Sequence, residues 1–439
     1  MQQRSGATAD AFGDASEGDA RVLEIRALPR EATAERARRR RVVVAALLLG
    51  LALPALFLLS PPPQEEVCGR WIDLGARAGL LLNCDTHSFV RLADRPGRLL
   101  EAGEIRQTRP VYVLAASGFL HAVRSGARAL GVRLDDALRF GLAVAALNLL
   151  NLVLLGASLA VLADLLVRHG ASLPWVLLGV IGLATSDLVK VFVWTPHTQM
   201  LNLLAPVAGL WMLDRIARRP EAARWGRWSF GAGVASLAYA TFATLVAALA
   251  VLRFVELRRR GAERRAAAGH AALLVAVGAV PVCLWIGFVQ LWSGSFTAHE
   301  ITTYREGVWV ADAAREGGLA GEMLDRLGFF VRKVRRATLA PFFALGLVGL
   351  LVAVRRKATL PPIVRHALLL FGLTAAFVYL VGVYPPRLLM PLTPPLLVIG
   401  VLPLCQAGFR LEGRRELTLV APAVLAWVAF QVGKSGPFE

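Results

Sequence analysis

Asp85 lies in the stretch Asn83-Cys84-Asp85-Thr86-His87-Ser88-Phe89-Val90-Arg91, where a carboxylate could take a proton from a hydroxyl nucleophile. General-base help of this kind contributes about 10²–10⁴ in rate. The plainer role of a loop acid is to cap a helix. His197, in Val193-Trp194-Thr195-Pro196-His197-Thr198-Gln199, could donate a hydrogen bond, ligate a metal or only satisfy turn backbone. Arg387 follows Pro385 and Pro386. It could anchor a span at the membrane interface or bind a phosphate. Arg332, Lys333, Arg335 and Arg336 form a basic cluster that could hold an anionic lipid head group, or simply contact the lipid surface. His299 and Glu300 bring metal-ligand types to the same loop, but no further ligand follows at fixed spacing. A divalent metal is therefore conceivable chemistry without support in the pattern. Cys68 and Cys84 are candidates for a disulfide, which would close a loop of about 17 residues and add about 3 kcal/mol. It would also tether the segment just before Asp85.

The elements that must position these residues are membrane spans. The chain has 439 residues, 56% of them hydrophobic. The apolar residues gather into continuous runs of about 17–25 residues, long enough to cross a bilayer. Continuous runs exclude a transmembrane β-barrel, whose strands alternate, and a single soluble globule. Lys plus Arg number 49 against 31 Asp plus Glu, a formal charge of +18. The surplus sits in short clusters such as Arg38 to Arg41, Arg258 to Arg260 and Arg355 to Lys357, beside apolar runs, where cytoplasmic loops fix orientation. That placement argues against nucleic acid as a partner. The four cysteines include no CxxC, which excludes a zinc ribbon.

The expected fold is an all-α polytopic membrane protein with about eleven transmembrane segments. Residues 1–41 read as a disordered cytoplasmic tail and 42–60 as a retained first span. Residues 61–137 form a long extracytoplasmic loop with interfacial helices, because Val111 to Val123 is too short to span. Residues 138–292 are a transmembrane bundle. Within it, 228–257 lies between two Arg-rich flanks and reads as a short helical hairpin with its tip near Tyr239 and Thr241, or else as one span. A second extracytoplasmic loop covers 293–336, further spans fill 337–433, and 434–439 is an extracytoplasmic tail.

The stretch around Asp85, followed by Arg106-Gln107-Thr108-Arg109-Pro110-Val111-Tyr112, resembles the GT-C superfamily of membrane glycosyltransferases. Members carry an acidic residue in the first outer loop, and often an Arg-Pro-aromatic segment before a juxtamembrane helix. The late stretch Tyr384-Pro385-Pro386-Arg387-Leu388-Leu389-Met390-Pro391 looks like the Arg-Tyr-x-Leu-Pro stretch of these enzymes. The resemblance implies an enzyme of the cytoplasmic membrane with its active site on the extracytoplasmic side. It would move a sugar from a polyprenyl-phosphate donor to a glycan, lipid or protein acceptor, with Asp85 as base. Arg387, Arg109, Tyr112, His197, Arg332, Lys333 and Arg336 would bind substrate. Several relatives pair two acids where this chain has Asp85 alone, which leaves metal dependence open. A lipid transporter or flippase would instead place ionisable residues at mid-bilayer. A surface-polysaccharide polymerase or ligase would carry its dominant outer loop later in the chain.

Overall fold

In the absence of water, a membrane-crossing backbone must satisfy its polar groups internally, so the apolar runs of this chain become helices. The computed structural model describes residues 36–37, 39–61, 69–221, 224–336, 339–407 and 414–433. The expected tails therefore lie outside the described residues, except that residues 36–37 and 39–41 are already helical, so helix begins before position 42.

The first long helix, α1 (Arg39–Leu58), tightens into a 3-10 turn over Leu53–Leu58, where Pro54 cannot donate to the helical ladder. The segment expected to carry interfacial helices opens with an antiparallel hairpin, β1 (Arg70–Gly75) and β2 (Ala78–Leu82). This hairpin is the only sheet among the described residues, and the rest of the fold is helical, in keeping with the all-α expectation. The turn is made by Gly75, Ala76 and Arg77, all with positive φ, and the buried residues Gly79, Leu81 and Leu82 of β2 seat it on the bundle. Next come α2 (Thr86–Asp94) and α3 (Pro110–Ala129), the second longer than its apolar core suggested.

The bundle proper starts with α4 (Asp136–Arg168), capped by the Asp135 carboxylate, which accepts from the Leu138 amide at 2.8 Å. At about 1.5 Å per residue its 33 residues extend about 50 Å, well beyond the hydrocarbon thickness. The apolar run over 173–193 is broken by Thr185 and Ser186 into α5 (Leu173–Ala184) and α6 (Asp187–Phe192). Then follow α7 (Leu201–Arg218), α8 (Trp225–Ser236), α9 (Ala243–Arg259) and α10 (Arg264–Ser293). The break between α8 and α9 falls at Tyr239 to Phe242, where the hairpin tip is expected. The second loop folds as α11 (His299–Tyr304), α12 (Val308–Arg315) and the amphipathic α13 (Leu319–Arg336). The chain closes with α14 (Ala340–Arg355), α15 (Pro362–Val381), the short α16 (Pro386–Leu389), α17 (Thr393–Gln406) and α18 (Arg414–Gly433).

Among the described residues, seven helices are long and apolar enough to cross a membrane, with three shorter apolar helices besides. The segment Arg387–Gln406 is almost wholly buried within the protein and forms the bundle's centre, whereas the apolar stretches of α1 and α10 are mostly exposed and face outward. Helices approach closely where glycine allows it. A Cβ on Gly349 would stand 2.6 Å from the Gly400 carbonyl, and one on Gly233 only 2.0 Å from that of Gly278. These contacts clamp α14 to α17 and α8 to α10, the small-residue packing expected of helices in lipid.

Candidate functional site

Asp85 stands at the N-terminus of α2, yet its carboxylate makes no capping bond there. Asn83 takes over that local role, its Oδ1 accepting from the Asp85 amide at 3.1 Å and the Thr86 hydroxyl at 3.2 Å. The Asp85 side chain is thereby left for tertiary partners. One oxygen is ion-paired to Arg106, and the other accepts from His197 Nε2 at 2.9 Å. Cys84, next in sequence, is disulfide-bonded, while Cys68 lies outside the described residues.

His197 reaches Asp85 because its turn is fixed from below. Asn151, buried in α4, donates to the carbonyls of Phe192 at 3.0 Å and Thr195 at 2.8 Å. The Thr195 hydroxyl in turn donates to the Leu81 carbonyl of the β-hairpin at 2.6 Å. Phe89 and Phe192 flank the imidazole, with centroids 5.3 and 5.0 Å away. Burial pulls the His197 pKa down to about 4, against the opposing pull of Asp85. The ring is therefore neutral, and its Nε2–H donates to an ionised carboxylate. For Asp85, burial alone would raise the pKa. The His197 hydrogen bond and the charges of Arg106 and Arg109 outweigh it and hold the carboxyl well below the usual range.

A second ion pair sits alongside. Arg109 Nη2 donates to Glu300 at 2.9 Å, its Nη1 donates to Thr198 Oγ1 at 2.8 Å, and its guanidinium lies 5.2 Å from the Tyr239 ring centre. Thr108 adds a hydroxyl donor to Glu300 at 3.3 Å. Tyr239 belongs to a buried amide–hydroxyl network. Asn202 donates to Gln199 at 2.6 Å and to the Arg387 carbonyl at 3.3 Å, and accepts from Thr241 at 2.8 Å. The α2–α3 region, the turn at 193–199, the α8–α9 break, α11 and α16 thus meet at one end of the bundle, the site end.

Arg387 is half-buried, with no carboxylate partner among the described residues, and its charge acts on His197 and Glu306. Glu306 follows α11, its amide donating to the Glu300 carbonyl at 3.2 Å. Burial and the charge of Glu300 push its carboxyl up to about 7, against the pull of Arg109 and Arg387. Two carboxylates in one field of arginines are thus tuned in opposite directions, a pattern that separates acid and base roles in enzymes.

Of the residues singled out from sequence, Asp85, His197, Arg109 and Arg387 come together. Tyr112 lies beneath them, only 2% exposed, its ring edge-on to Phe89 at 5.4 Å and its hydroxyl without a hydrogen-bond partner among the described residues. Burial raises the pKa of that phenol. Arg332 and Lys333 do not join the cluster. Arg332 is exposed on α13, and Lys333 lies 5.1 Å from the Phe329 ring centre; the Arg336 side chain is outside the described residues. Two site residues, Arg106 and Glu306, carry no sign of their role in the sequence. Arg106 stands inside the Arg-Pro-aromatic segment, but its distance of 21 positions from Asp85 gives no hint of the pairing.

His299 stays within its own helix, its Nδ1 3.0 Å from the Thr303 hydroxyl. No group of three or more His, Cys, Asp or Glu that could hold a metal occurs among the described residues. Asp85 and Glu300 each face a guanidinium, a donor set that does not fit a dication. Beside the site, Leu58, Ile72, Leu80, Phe140, Leu152 and Trp194 line part of an apolar cavity of about 400 Å³. His87, in the first turn of α2, stacks on Phe140 at 5.2 Å and joins this cavity to the Asp85 segment. No protein-family model matches the chain, and no curated protein matches it.

Proposed function

We propose that the chain is a membrane glycosyltransferase that moves a sugar from a polyprenyl-phosphate donor to an acceptor hydroxyl. The observation that carries this reading is the ionised Asp85 among Arg106, Arg109 and Arg387 at one end of an apolar helical bundle. A lipid phosphate needs what that end offers, cations for the phosphate and apolar surface for the chain. The cavity of about 400 Å³ between β2 and α4 suits part of a prenyl chain. The excess of arginine in the loops at the other end argues that the site end faces away from the cytoplasm.

In this reaction the acceptor oxygen bonds to the anomeric carbon while the bond from that carbon to the phosphate oxygen breaks. The bonding pair leaves with the phosphate, and the acceptor proton passes to a carboxylate. Arg387, which has no carboxylate partner among the described residues, is suited to meet the charge that grows on the leaving phosphate. Arg106 and Arg109 are held by Asp85 and Glu300 until the donor arrives. A phosphate that draws Arg106 away removes a positive neighbour from Asp85 and makes it a stronger base. Glu306, with its pKa near 7, is the other group able to accept the proton.

The test is transfer of labelled sugar from a polyprenyl-phosphate donor in membranes that carry the wild type or Asp85→Asn. Loss of transfer with donor binding intact supports the reading. Full transfer by Asp85→Asn would remove Asp85 from the chemistry and leave only a structural ion pair.

A further inference from the structure

The opposite end of the bundle holds a cavity of about 810 Å³ that plays no part in the proposed transfer. Its walls carry Arg168 at the end of α4, Arg215, Arg218 and Arg219 at the end of α7, and Arg224 and Arg227 at the start of α8. The two ends are far apart. Phe140, near the start of α4, touches His87 at the site end, and α4 then runs its full length to Arg168.

Carboxylates offset only part of this charge. Asp164 pairs with Arg168 but is shared with Arg39, and Asp214 pairs with Arg218 but also accepts from His169 at 3.0 Å. Arg215, Arg219, Arg224 and Arg227 have no carboxylate partner among the described residues. Trp228 belongs to the remaining wall, and Trp211, which does not line the cavity, packs against it. Arg215 lies 5.4 Å from the Trp211 ring centre, and Trp211 meets Trp228 edge-on at 5.9 Å. Ile216 and Gly231 complete the lining.

The orientation bias of membrane proteins explains why loops at this end are rich in arginine. It does not explain their convergence. The end of α9 and the start of α10 carry Arg258, Arg259, Arg264 and Arg265 under the same bias, and none of them lines this cavity. Unpaired guanidinium groups around one space repel each other, and a multiply charged anion relieves that repulsion. The planar fork of arginine matches phosphate oxygens in bidentate geometry.

We propose that this cavity is a binding site for a phosphate-bearing anion, either the head group of an anionic phospholipid or a free phosphate compound. The site stands independently of the transfer reaction, since it shares no residue with the Asp85 cluster.

Purified, delipidated full-length protein is the material for the test. One arm titrates inorganic pyrophosphate in detergent and follows the thermal transition. The other compares nanodiscs of phosphatidylglycerol with nanodiscs of phosphatidylcholine. Stabilisation by pyrophosphate alone identifies a free phosphate compound as the occupant, and by phosphatidylglycerol alone a lipid head group. A response to both supports the shared chemistry. The Arg224→Gln/Arg227→Gln double variant should weaken the effective arm about tenfold or more, the equivalent of about 1.4 kcal/mol. Arg264→Gln/Arg265→Gln, which removes the same charge outside the cavity, should change it less than about twofold. No stabilisation by either anion over phosphatidylcholine overturns the proposal, as does equal loss in the two double variants.

Discussion

The two ends of the bundle treat arginine differently. At the site end, Arg106 and Arg109 each face a carboxylate, and their side chains are only 8% and 14% exposed. At the opposite end, six arginines surround a cavity where Asp164 and Asp214 serve two of them. Buried charges must be paired, because an uncompensated ion out of water costs several kcal/mol. Partly exposed arginines can wait in solvent for a ligand. The first arrangement fits the transfer proposed for the site end, and the second fits the anion binding proposed for the other.

Removing the charge at the centre of the site end should have the largest effect. Asp85→Asn keeps shape but loses the ionised oxygen, and sugar transfer should fall about 10²-fold or more while donor binding survives. A single-turnover assay with labelled donor checks both. Retained transfer would reduce Asp85 to a structural ion-pair partner and leave Glu306 as the base of the site end. Arg387→Ala comes next. The substitution strands no carboxylate among the described residues, so the fold should hold, while donor affinity and turnover together fall about tenfold. An unchanged donor titration would reduce Arg387 to an interfacial anchor.

The pH profile separates the two carboxylates of the site end. Glu306 is protonated below about 7, so a reaction that uses it as base slows about tenfold for each unit below that value. A reaction that uses Asp85 stays level through the same range, because its neighbours keep that carboxyl ionised. Glu306→Gln should abolish the acid limb in the first case and leave the profile unchanged in the second. The smallest effect expected is that of salt. Raising ionic strength from about 0.1 M to 1 M shortens the screening length from about 10 Å to 3 Å. Anion binding at the Arg224 and Arg227 end should weaken several-fold, whereas the buried pairs of the site end are screened little, so Tm without the anion should barely change. Parallel titration and melting curves at the two salt levels measure the contrast.

The candidate site is partly legible in the amino-acid sequence. Asp85, Arg109, His197 and Arg387 stand out by residue type and setting, and they do meet. The break between α8 and α9 near Tyr239 is legible too, because two basic flanks about 30 residues apart leave room for a turn. The β1–β2 hairpin is not. Its strand residues Arg70 to Leu82 mix polar and apolar types without the clean alternation that marks a half-buried strand. The basic residues of α13 share a loop with Glu300, which suggests a place at the site, but the helix instead leaves Arg332 exposed.

Hydropathy and flanking charge are enough to assign the membrane-protein class and the positions of most helices. Both act over one span, and a span is a local stretch of chain. Which charges meet is a matter for the folded chain alone. Asp85 finds His197 across 112 positions, and Arg109 finds Glu300 across 191. The opposite tuning of Asp85 and Glu306 is equally out of reach of a linear reading. A carboxyl's pKa is set by burial and by charges within a few ångströms, and only tertiary packing assigns those neighbours.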